Sequence, residues 1–185
     1  MRYILSLGSN IGDRLRNLKD AISRLEERSI SIIGISSLYA SNPVNYTEQP
    51  DFINISLDVE TELAPQLLLE QTQQIEQEMG RKKVINKGPR NIDIDIILWE
   101  NGEFISENLI IPHPEAANRL FVIFPTLEII EGSGHFKRDK ETFHTLLEKG
   151  RNRYIGQKIE KLSPFSIEKD DYGWNASSVE ESSNE

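Results

Sequence analysis

The 185-residue sequence contains no cysteine. That absence excludes disulfides, zinc sites built from thiolates and cysteine nucleophiles, and it fits a reducing compartment such as the cytoplasm. Long apolar runs are also missing: none approaches the length of a membrane span, and the first residues turn polar too soon for a signal peptide. We therefore expect a cytoplasmic protein that has no membrane partner.

Positive charge is scarce as well. The chain has 21 lysines and arginines against 30 aspartates and glutamates, which gives a net charge of -9. This balance argues against a general nucleic-acid binder. If the substrate is itself an anion, such a protein has to recruit metal ions and concentrate its arginines locally. The length fits a single domain with a sizeable core, and we expect a monomer.

The most informative stretch runs from Gly88 to Leu98 and alternates isoleucine with aspartate. Alternation predicts a β-strand that buries its isoleucines and places Asp93 and Asp95 together on the opposite face. Such carboxylates stand roughly 7 Å apart and can hold Mg²⁺, but they repel each other, so a cationic partner should offset the arrangement. Arg90 supplies a charge suited to phosphate oxygens. A merely solvated strand face is the alternative interpretation.

A basic loop precedes this strand. The pattern predicts a helix from Pro65 to about Met79 that ends at Gly80, and residues 81–87 (Arg-Lys-Lys-Val-Ile-Asn-Lys) follow. Cations beside paired carboxylates are the outline of a polyphosphate site, with the cations for phosphate and the acids for Mg²⁺. We expect residues 82–87 to close over bound triphosphate as a lid. A run that serves only solubility is the alternative.

Two further segments carry candidate binding groups. Residues 52–61 alternate strictly, which predicts a strand with Phe52, Asn54, Ser56 and Asp58 on its exposed face. An aromatic ring and an amide beside a loop suit a flat heterocycle, although a surface phenylalanine beside a turn is the plainer interpretation. A Gly-Ser-Asn turn at residues 8–10 either presents amides to a phosphate or simply joins a strand to a helix.

Five motifs, in this order, resemble those of the 6-hydroxymethyl-7,8-dihydropterin pyrophosphokinase family of folate biosynthesis. They are Leu-Gly-Ser-Asn (7–10), Gln-Pro-Asp-Phe-Ile-Asn (49–54), Gln-x-x-Glu-x-x-x-Gly-Arg (73–81), Gly-Pro-Arg-x-x-Asp-x-Asp (88–95) and Pro-His-x-x-x-x-x-Arg-x-Phe (112–121). The resemblance extends from Tyr3 to about Ile130. It implies an α+β fold, a ferredoxin-like sandwich in which helices pack on an antiparallel sheet.

The resemblance also implies a reaction: the β,γ-pyrophosphoryl unit of ATP passes to the pterin hydroxymethyl oxygen and AMP is released. Two Mg²⁺ ions, held by Asp93 and Asp95, accompany ATP. The implied catalytic residues are Arg81, Arg90, Asp93, Asp95, His113 and Arg119. Those implied in nucleotide binding are Gln73, Glu76, Lys83 and Ile96. Those implied in pterin binding are Ser41, Pro43, Val44, Phe52, Asn54 and Phe121, with the two phenylalanines on either side of the ring.

The C-terminal segment has a different composition. From Ser163 on, one basic residue stands against six acidic ones, and few residues are apolar. We predict a single pyrophosphokinase domain over residues 1–162 and a disordered acidic tail over residues 163–185.

Two other functional classes remain open from the residues alone. A polymerase-β-like nucleotidyltransferase also combines Gly-Ser with two aspartates, but there the acids follow closely, whereas Ser9 and Asp93 are far apart. A non-catalytic ferredoxin-like binding module needs neither the aspartate pair nor the basic loop. The nucleotide product separates the three classes, because only a pyrophosphokinase forms AMP without releasing pyrophosphate.

Overall fold

A six-stranded antiparallel sheet forms the centre of the structure. The computed structural model describes residues 1–44, 48–80 and 88–165, apart from the side chains of 151 and 152, and the backbone of 168–170 and 173–175. The strands are β1 (Arg2–Ser9), β2 (Ser31–Ile35), β3 (Tyr39–Ser41), β4 (Phe52–Glu60), β5 (Asp93–Trp99), β6 (Phe104–Ile105), β7 (Ile110–Ile111), β8 (Ile159–Lys161), β9 (Glu168–Asp170) and β10 (Gly173–Asn175). The helices are α1 (Arg14–Glu27), α2 (Pro65–Glu78), α3 (Leu120–Ile130) and α4 (Lys137–Lys149).

The strand order of the main sheet is β5-β1-β4-β3-β8, and β2 pairs with β4 beside β3. Strands β2 and β3 therefore follow one another along the same edge of β4. With α1 between β1 and β2, and α2 between β4 and β5, the chain has the order and antiparallel pairing of a ferredoxin-like unit. The predicted α+β fold, an antiparallel sheet with helices packed on it, is confirmed.

Helices α1 and α2 cover one face of the sheet. Helix α1 begins after Asp13, whose carboxylate accepts a hydrogen bond from the backbone N of Arg16 at 3.0 Å, as expected of an N-cap. Helix α2 begins at Pro65, where its fixed φ and missing N–H suit the first turn. Helix α1 packs against β1, β2 and β4, and α2 packs against β5. The core on this face includes Leu5, Leu7, Leu18, Ile22, Leu25, Ile55, Leu57, Ile94 and Ile96.

Helices α3 and α4 cover the other face and form a second apolar core there. Its members include Ile4, Ile97, Leu98, Val122, Ile123, Leu127, Ile130 and Phe143. Strand β5 contributes to both cores and contains a β-bulge. Leu5 lies opposite Ile96 and Ile4 lies opposite Leu98, so Ile97 is the extra residue. The bulge lets the consecutive residues Ile97 and Leu98 both face the second core, while Ile96 faces the first.

The prediction that the polar face of β4 is exposed is wrong. Asn54, Ser56 and Asp58 retain only 2%, 0% and 4% of their accessible surface, because α3 packs on this strand. Each polar group has a partner instead of water. Ser56 Oγ lies 3.0 Å from Thr126 Oγ1, and Asp58 forms an ion pair with Arg2. Alternation identified the two faces of the strand, but it does not reveal which element covers the polar one.

A carboxylate also ties α3 to the strand beside β4. Glu128 accepts hydrogen bonds from Ser37 N at 3.2 Å, Ser37 Oγ at 2.7 Å and Tyr39 Oη at 2.7 Å. Burial by itself raises the pKa of Glu128, but the hydrogen bonds from Tyr39 and Ser37 outweigh it, so its pKa is lowered. This ionised carboxylate fixes the distance between α3 and β3.

Ordered contacts continue past residue 162, the predicted end of the domain. After β8, which pairs with β3, Ser163 O accepts from Leu38 N at 3.0 Å, and Phe165 packs against the first core. Further along, β9 pairs with β10 in the segment for which the sequence predicts disorder. Residues 176–185 lie outside the described residues. Among the described residues, no helix is long and apolar enough to cross a membrane.

The buried hydroxyl pair between β4 and α3 gives a stability prediction. We expect Ser56→Ala to lower the free energy of unfolding by about 1–3 kcal/mol, because Thr126 Oγ1 loses its buried partner. Adding Thr126→Val should restore most of that loss, since both polar groups are then replaced by apolar groups of similar shape. Denaturant unfolding measures both variants. Losses that simply add in the double variant would show that this hydrogen bond does not carry the effect.

Candidate active site

Asp93 and Asp95 stand on the same face of β5, opposite the buried isoleucines, as the sequence predicts. Their side chains keep 23% and 33% of their accessible surface, whereas Ile94 and Ile96 keep 4% and 2%. The face that they share is also the face on which α3 begins. Two carboxylates are therefore held side by side, half-buried, at the end of an edge strand.

An arginine lies beside each of these carboxylates. Arg90 Nη1 is 2.7 Å from Asp93 Oδ2, and Arg119 Nη1 is 3.7 Å from Asp95 Oδ2. Both arginine side chains are largely buried, with 18% and 17% of their surface exposed. Their charges offset the repulsion between the two carboxylates, and they are the cationic partners that the aspartate pair requires.

Each arginine also contacts one of the two candidate aromatic rings. The guanidinium carbon of Arg90 lies 5.7 Å from the ring centre of Phe52, and that of Arg119 lies 5.8 Å from the ring centre of Phe121. These distances fit cation–π contacts. The site thus contains two similar units, each made of an aspartate, an arginine and a phenylalanine. We call them the Phe52 unit and the Phe121 unit.

The Phe52 unit is held in place by Asn10 in the turn after β1. Asn10 Oδ1 accepts from Arg90 N at 2.8 Å, while its Nδ2 donates to Gln49 Oε1 and Pro50 O, both at 3.0 Å. This buried amide links the loop before Phe52 to the segment before β5. The turn therefore connects these two segments. Asn10 was not among the residues expected to bind or catalyse, although it belongs to the Leu-Gly-Ser-Asn motif.

Asn54 lies beneath this arrangement and faces β3. Its Nδ2 donates to Tyr39 O at 3.1 Å and to Ser41 Oγ at 2.9 Å. Both amide hydrogens are thereby used within the protein, and Oδ1 remains as an acceptor. Gly8 allows this packing, since a Cβ at that position would lie 3.1 Å from Asn54 Oδ1. From Ser41 the chain continues through the buried Pro43 and the exposed Val44.

Glu76 of α2 is buried although it carries a charge. It is 6% exposed, and its Oε1 accepts from Ile94 N at 2.7 Å. The reason lies in the topology: β5 is an edge strand, so its outward amides need acceptors from outside the sheet. Glu76 thus fixes the backbone between the two aspartates.

His113 is held by the bulge in β5. Its backbone N donates to Ile97 O at 2.9 Å, and its Nδ1 accepts from Glu115 N at 3.1 Å. Burial lowers the pKa of His113 from 6.5, and the Arg119 charge lowers it further, against smaller opposing effects of Glu115 and Asp93. The ring is therefore neutral at pH 7, and accepting at Nδ1 places its proton on Nε2.

A pocket of about 530 Å³ opens beside the carboxylates. Its lining brings together the candidate nucleotide residues of α2 and β5 with Asp95 and His113. The lining residues are Leu69, Gln73, Glu76, Gln77, Ile94, Asp95, Ile96, Glu107, Asn108, Leu109, Ile110, His113 and Pro114. Residues 107–109 between β6 and β7, and Ile110 at the start of β7, were not among the candidates because no motif or periodicity marks them. The volume suits a nucleotide-sized ligand.

Three predictions fall on residues 81–87. Arg81, Lys83 and the proposed lid over residues 82–87 lie outside the described residues. Within the described ranges no three histidine, aspartate or glutamate side chains cluster as metal ligands. Asp93 and Asp95 supply two carboxylates, which suits Mg²⁺ bound together with substrate phosphates and water rather than in an all-protein cage.

Paired carboxylates, arginines beside them and a nucleotide-sized pocket on a ferredoxin-like fold are features that phosphoryl-transfer sites share. A family model described as 7,8-dihydro-6-hydroxymethylpterin-pyrophosphokinase (HPPK) matches residues 4–131. The chain belongs to this family of transferases, and the family predicted from its motifs is confirmed.

Individual relatives agree with this assignment. The 2-amino-4-hydroxy-6-hydroxymethyldihydropteridine pyrophosphokinase of Bacillus subtilis is 42% identical over 128 residues, 69% of this chain and 77% of that protein. The folic acid synthesis protein fol1 of Pneumocystis carinii is 46% identical over 125 residues, 68% of this chain. The bifunctional protein FolKE of Lactococcus lactis subsp. cremoris is 47% identical over 134 residues, 72% of this chain. The chain spans only 17% and 38% of the length of these last two proteins.

Solved structures support the fold. A crystal structure of HPPK-DHPS in complex with substrates superimposes with a TM-score of 0.59 at 15% identity, over 80% of this chain and 44% of that chain. A Plasmodium falciparum HPPK-DHPS triple mutant with pteroate gives a TM-score of 0.56 at 15% identity, over 85% and 46%.

The environment of His113 predicts its titration. Without nucleotide or metal, we expect its ring to titrate below pH 6.5, because burial and the Arg119 charge disfavour the protonated form. Protonation then favours the unfolded chain, so His113 lowers stability as the pH falls from about 6.5 through its folded-state pKa. NMR titration of the three histidines measures this, and His113→Gln identifies its resonance and flattens that part of the stability profile. A pKa at or above 6.5 would contradict the prediction.

Proposed function

We propose that the protein transfers the β,γ-pyrophosphoryl group of ATP to the hydroxymethyl oxygen of 6-hydroxymethyl-7,8-dihydropterin in folate biosynthesis, with release of AMP. The observation that carries this proposal is the pairing of the Phe52 unit with the Phe121 unit beside the pocket. Two phenylalanines suit a flat pterin ring, and the adjoining arginines and carboxylates suit the phosphates and their metal. The name of the Bacillus subtilis relative supports the same reaction.

The donor set fits Mg²⁺, and two ions are proposed, with Asp93 and Asp95 as the protein ligands. When bound, Mg²⁺ offsets phosphate charge and polarises the transferred group. Arg90 and Arg119 neutralise these carboxylates in the free protein. With Mg²⁺ on the carboxylates, the two guanidinium groups would be available to phosphate oxygens. Glu76 keeps the strand between the aspartates in register through Ile94 N.

The pocket beside β5 is proposed to hold the nucleotide. Gln73 and Glu76 from α2 and Ile96 from β5 line it, together with the apolar Leu109 and Ile110 of the β6–β7 segment. Neutral His113 presents its Nε2 proton as a donor, which suits a phosphate oxygen without the cost of protonating a buried ring. Arg81 and Lys83 are proposed to add positive charge on the phosphate side.

The pterin is proposed to bind between Phe52 and Phe121. Asn54 offers its Oδ1 acceptor, because Tyr39 O and Ser41 Oγ take both of its amide hydrogens. An acceptor suits the amino group at the edge of a pterin. The chain around Ser41, Pro43 and Val44 is proposed to read the rest of that edge. Positioning and electrostatics together account for the chemistry, as in other phosphoryl transfers.

Product analysis tests the reaction directly. The protein is incubated with Mg-ATP and 6-hydroxymethyl-7,8-dihydropterin, and the nucleotides and pterins are separated. We expect AMP and pterin diphosphate in equal amounts. Released pyrophosphate would identify a nucleotidyltransferase instead, and unchanged ATP in the presence of the pterin would identify a binding protein. Either result would refute the proposal.

The metal ligands give a second test. We expect Asp93→Asn and Asp95→Asn each to reduce turnover by at least about 100-fold, because each removes a carboxylate that holds Mg²⁺ where charge develops. Thermal stability should change little, since each variant also removes part of a carboxylate repulsion. Asp20→Asn, which changes an exposed carboxylate of α1, is the matched control. Turnover near that of the control in either variant would reject these residues as ligands.

The aromatic residues give a third test. We expect Phe52→Ala and Phe121→Ala each to weaken pterin binding by about 1–3 kcal/mol, as for ring stacking on bases, with much less effect on Mg-ATP binding. Calorimetric titration with each ligand separates the two effects. Phe124→Ala is the control, since Phe124 lies on α3 with Phe121 and is 38% exposed. Equal weakening of both ligands would mean that the rings only pack the fold.

A further inference from the structure

Residues 154–158 contact both walls of the proposed pterin site. They lie beyond the region that the family model matches, which ends at residue 131. One wall is the start of α3, which carries Arg119 and Phe121. The other is the end of β3 with the loop that follows it, which carries Ser41 and Pro43.

The start of α3 combines a functional requirement with a structural weakness. Arg119 occupies the N-cap position and supplies no side-chain cap. A guanidinium cannot accept a hydrogen bond, and its positive charge lies at the positive end of the helix dipole. The side chain points instead to Asp95 and Phe121. The residue that the site requires is thus one of the least suitable for starting a helix.

Gln157 supplies the missing cap from outside the helix. Its Oε1 accepts from Leu120 N at 2.9 Å, and its Nε2 donates to Asn118 O at 2.8 Å. These two hydrogen bonds bracket Arg119 on either side. Nearby, Tyr154 Oη donates to Ala117 O at 3.1 Å. One amide side chain therefore fixes the backbone on both sides of a candidate catalytic residue.

The residues on either side of Gln157 bind the opposite wall. Asn42 Oδ1 accepts from Lys158 N at 2.6 Å, and Asn42 Nδ2 donates to Gly156 O at 2.9 Å. Asn42 stands between Ser41 and Pro43, two of the candidate pterin-binding residues. Three consecutive residues, 156–158, thus join the two walls through paired hydrogen bonds.

Apolar burial explains only part of this contact. Tyr154 packs against the second core, whereas Ile155 is 78% exposed. The other contacts are polar: Gln157 bonds backbone groups on either side of Arg119, and Gly156 and Lys158 bond the side chain of Asn42. Glu128 fixes α3 to β3 further along the helix, but it lies more than two helical turns from Arg119. At the first turn of α3, the side chain that bonds Leu120 N is that of Gln157.

We propose that Gln157 is a positioning residue of the pterin site. By capping α3 it holds Arg119 and Phe121 at a fixed distance from the Asn42 loop. This inference rests on the proposed function, because it assigns the pterin to the space between these walls. It adds a residue outside the five motifs to the determinants of pterin affinity.

Steady-state kinetics with Mg-ATP and the reduced pterin alcohol test this role. Gln157→Met keeps the length of the side chain and loses both hydrogen bonds, and Gln157→Ala provides a second variant. We expect the pterin KM to rise about fivefold, the effect of a lost cap, while the ATP KM stays within about twofold. Gln157→Glu keeps the acceptor for Leu120 N and adds a favourable charge at the helix start, but it loses the donor to Asn118 O, so it should restore part of the affinity. Glu160→Ala, an exposed change in β8, is the control.

Hydrogen exchange at the Leu120 amide gives a readout that does not depend on activity. It should become faster in Gln157→Met and stay slow in Gln157→Glu. An unchanged pterin KM in active Gln157→Met protein, or equal increases in both KM values, would overturn the inference and leave the proposed function standing. A wild-type protein that forms no AMP would refute the proposed function, whereas unchanged exchange at Leu120 would refute the capping role alone.

Discussion

Repulsion between two neighbouring carboxylates is the constraint on which the rest of the site depends. Asp93 and Asp95 lie half-buried on one face of β5, and nothing in a β-strand stabilises such a pair. The offsetting charges come from Arg90 and Arg119, which lie on different segments. Each segment therefore needs its own anchor. Side-chain amides fill that role: the buried Asn10 holds the segment before β5, and the partly buried Gln157 holds the start of α3.

Patterns that are local in sequence were predicted well. The alternation of β5 and the proline at the start of α2 each reflect forces between residues close together in the chain. The burial of Asn54 and Glu76 was not predicted. Asn54 bonds β3 beneath α3, and Glu76 bonds the edge strand β5, so the groups that bury them come from other elements. Periodicity distinguishes the faces of an element, but it carries no information about what lies against them.

The residues of the candidate site also divide into those that sequence patterns predict and those that they do not. Motifs identified the charged and aromatic side chains, since these residue types are rare enough in combination to be specific. Backbone segments that complete the site carry no such signal. Residues 107–110 line the pocket and Gln157 caps α3, yet both lie in stretches of ordinary composition. Their roles depend on three-dimensional neighbours alone. Relatives that share the motifs therefore do not have to share these residues.

The bulge at Ile97 divides β5 into two parts that differ in how they pack. Before the bulge, the strand carries the carboxylates and packs on the first core; after it, Leu98 belongs to the second core. The added residue also turns the Ile97 carbonyl toward His113 N. Ile97 and Leu98 thus both pack beneath α3 and α4, whereas Asp93 and Asp95 keep the regular alternation of the strand before the bulge.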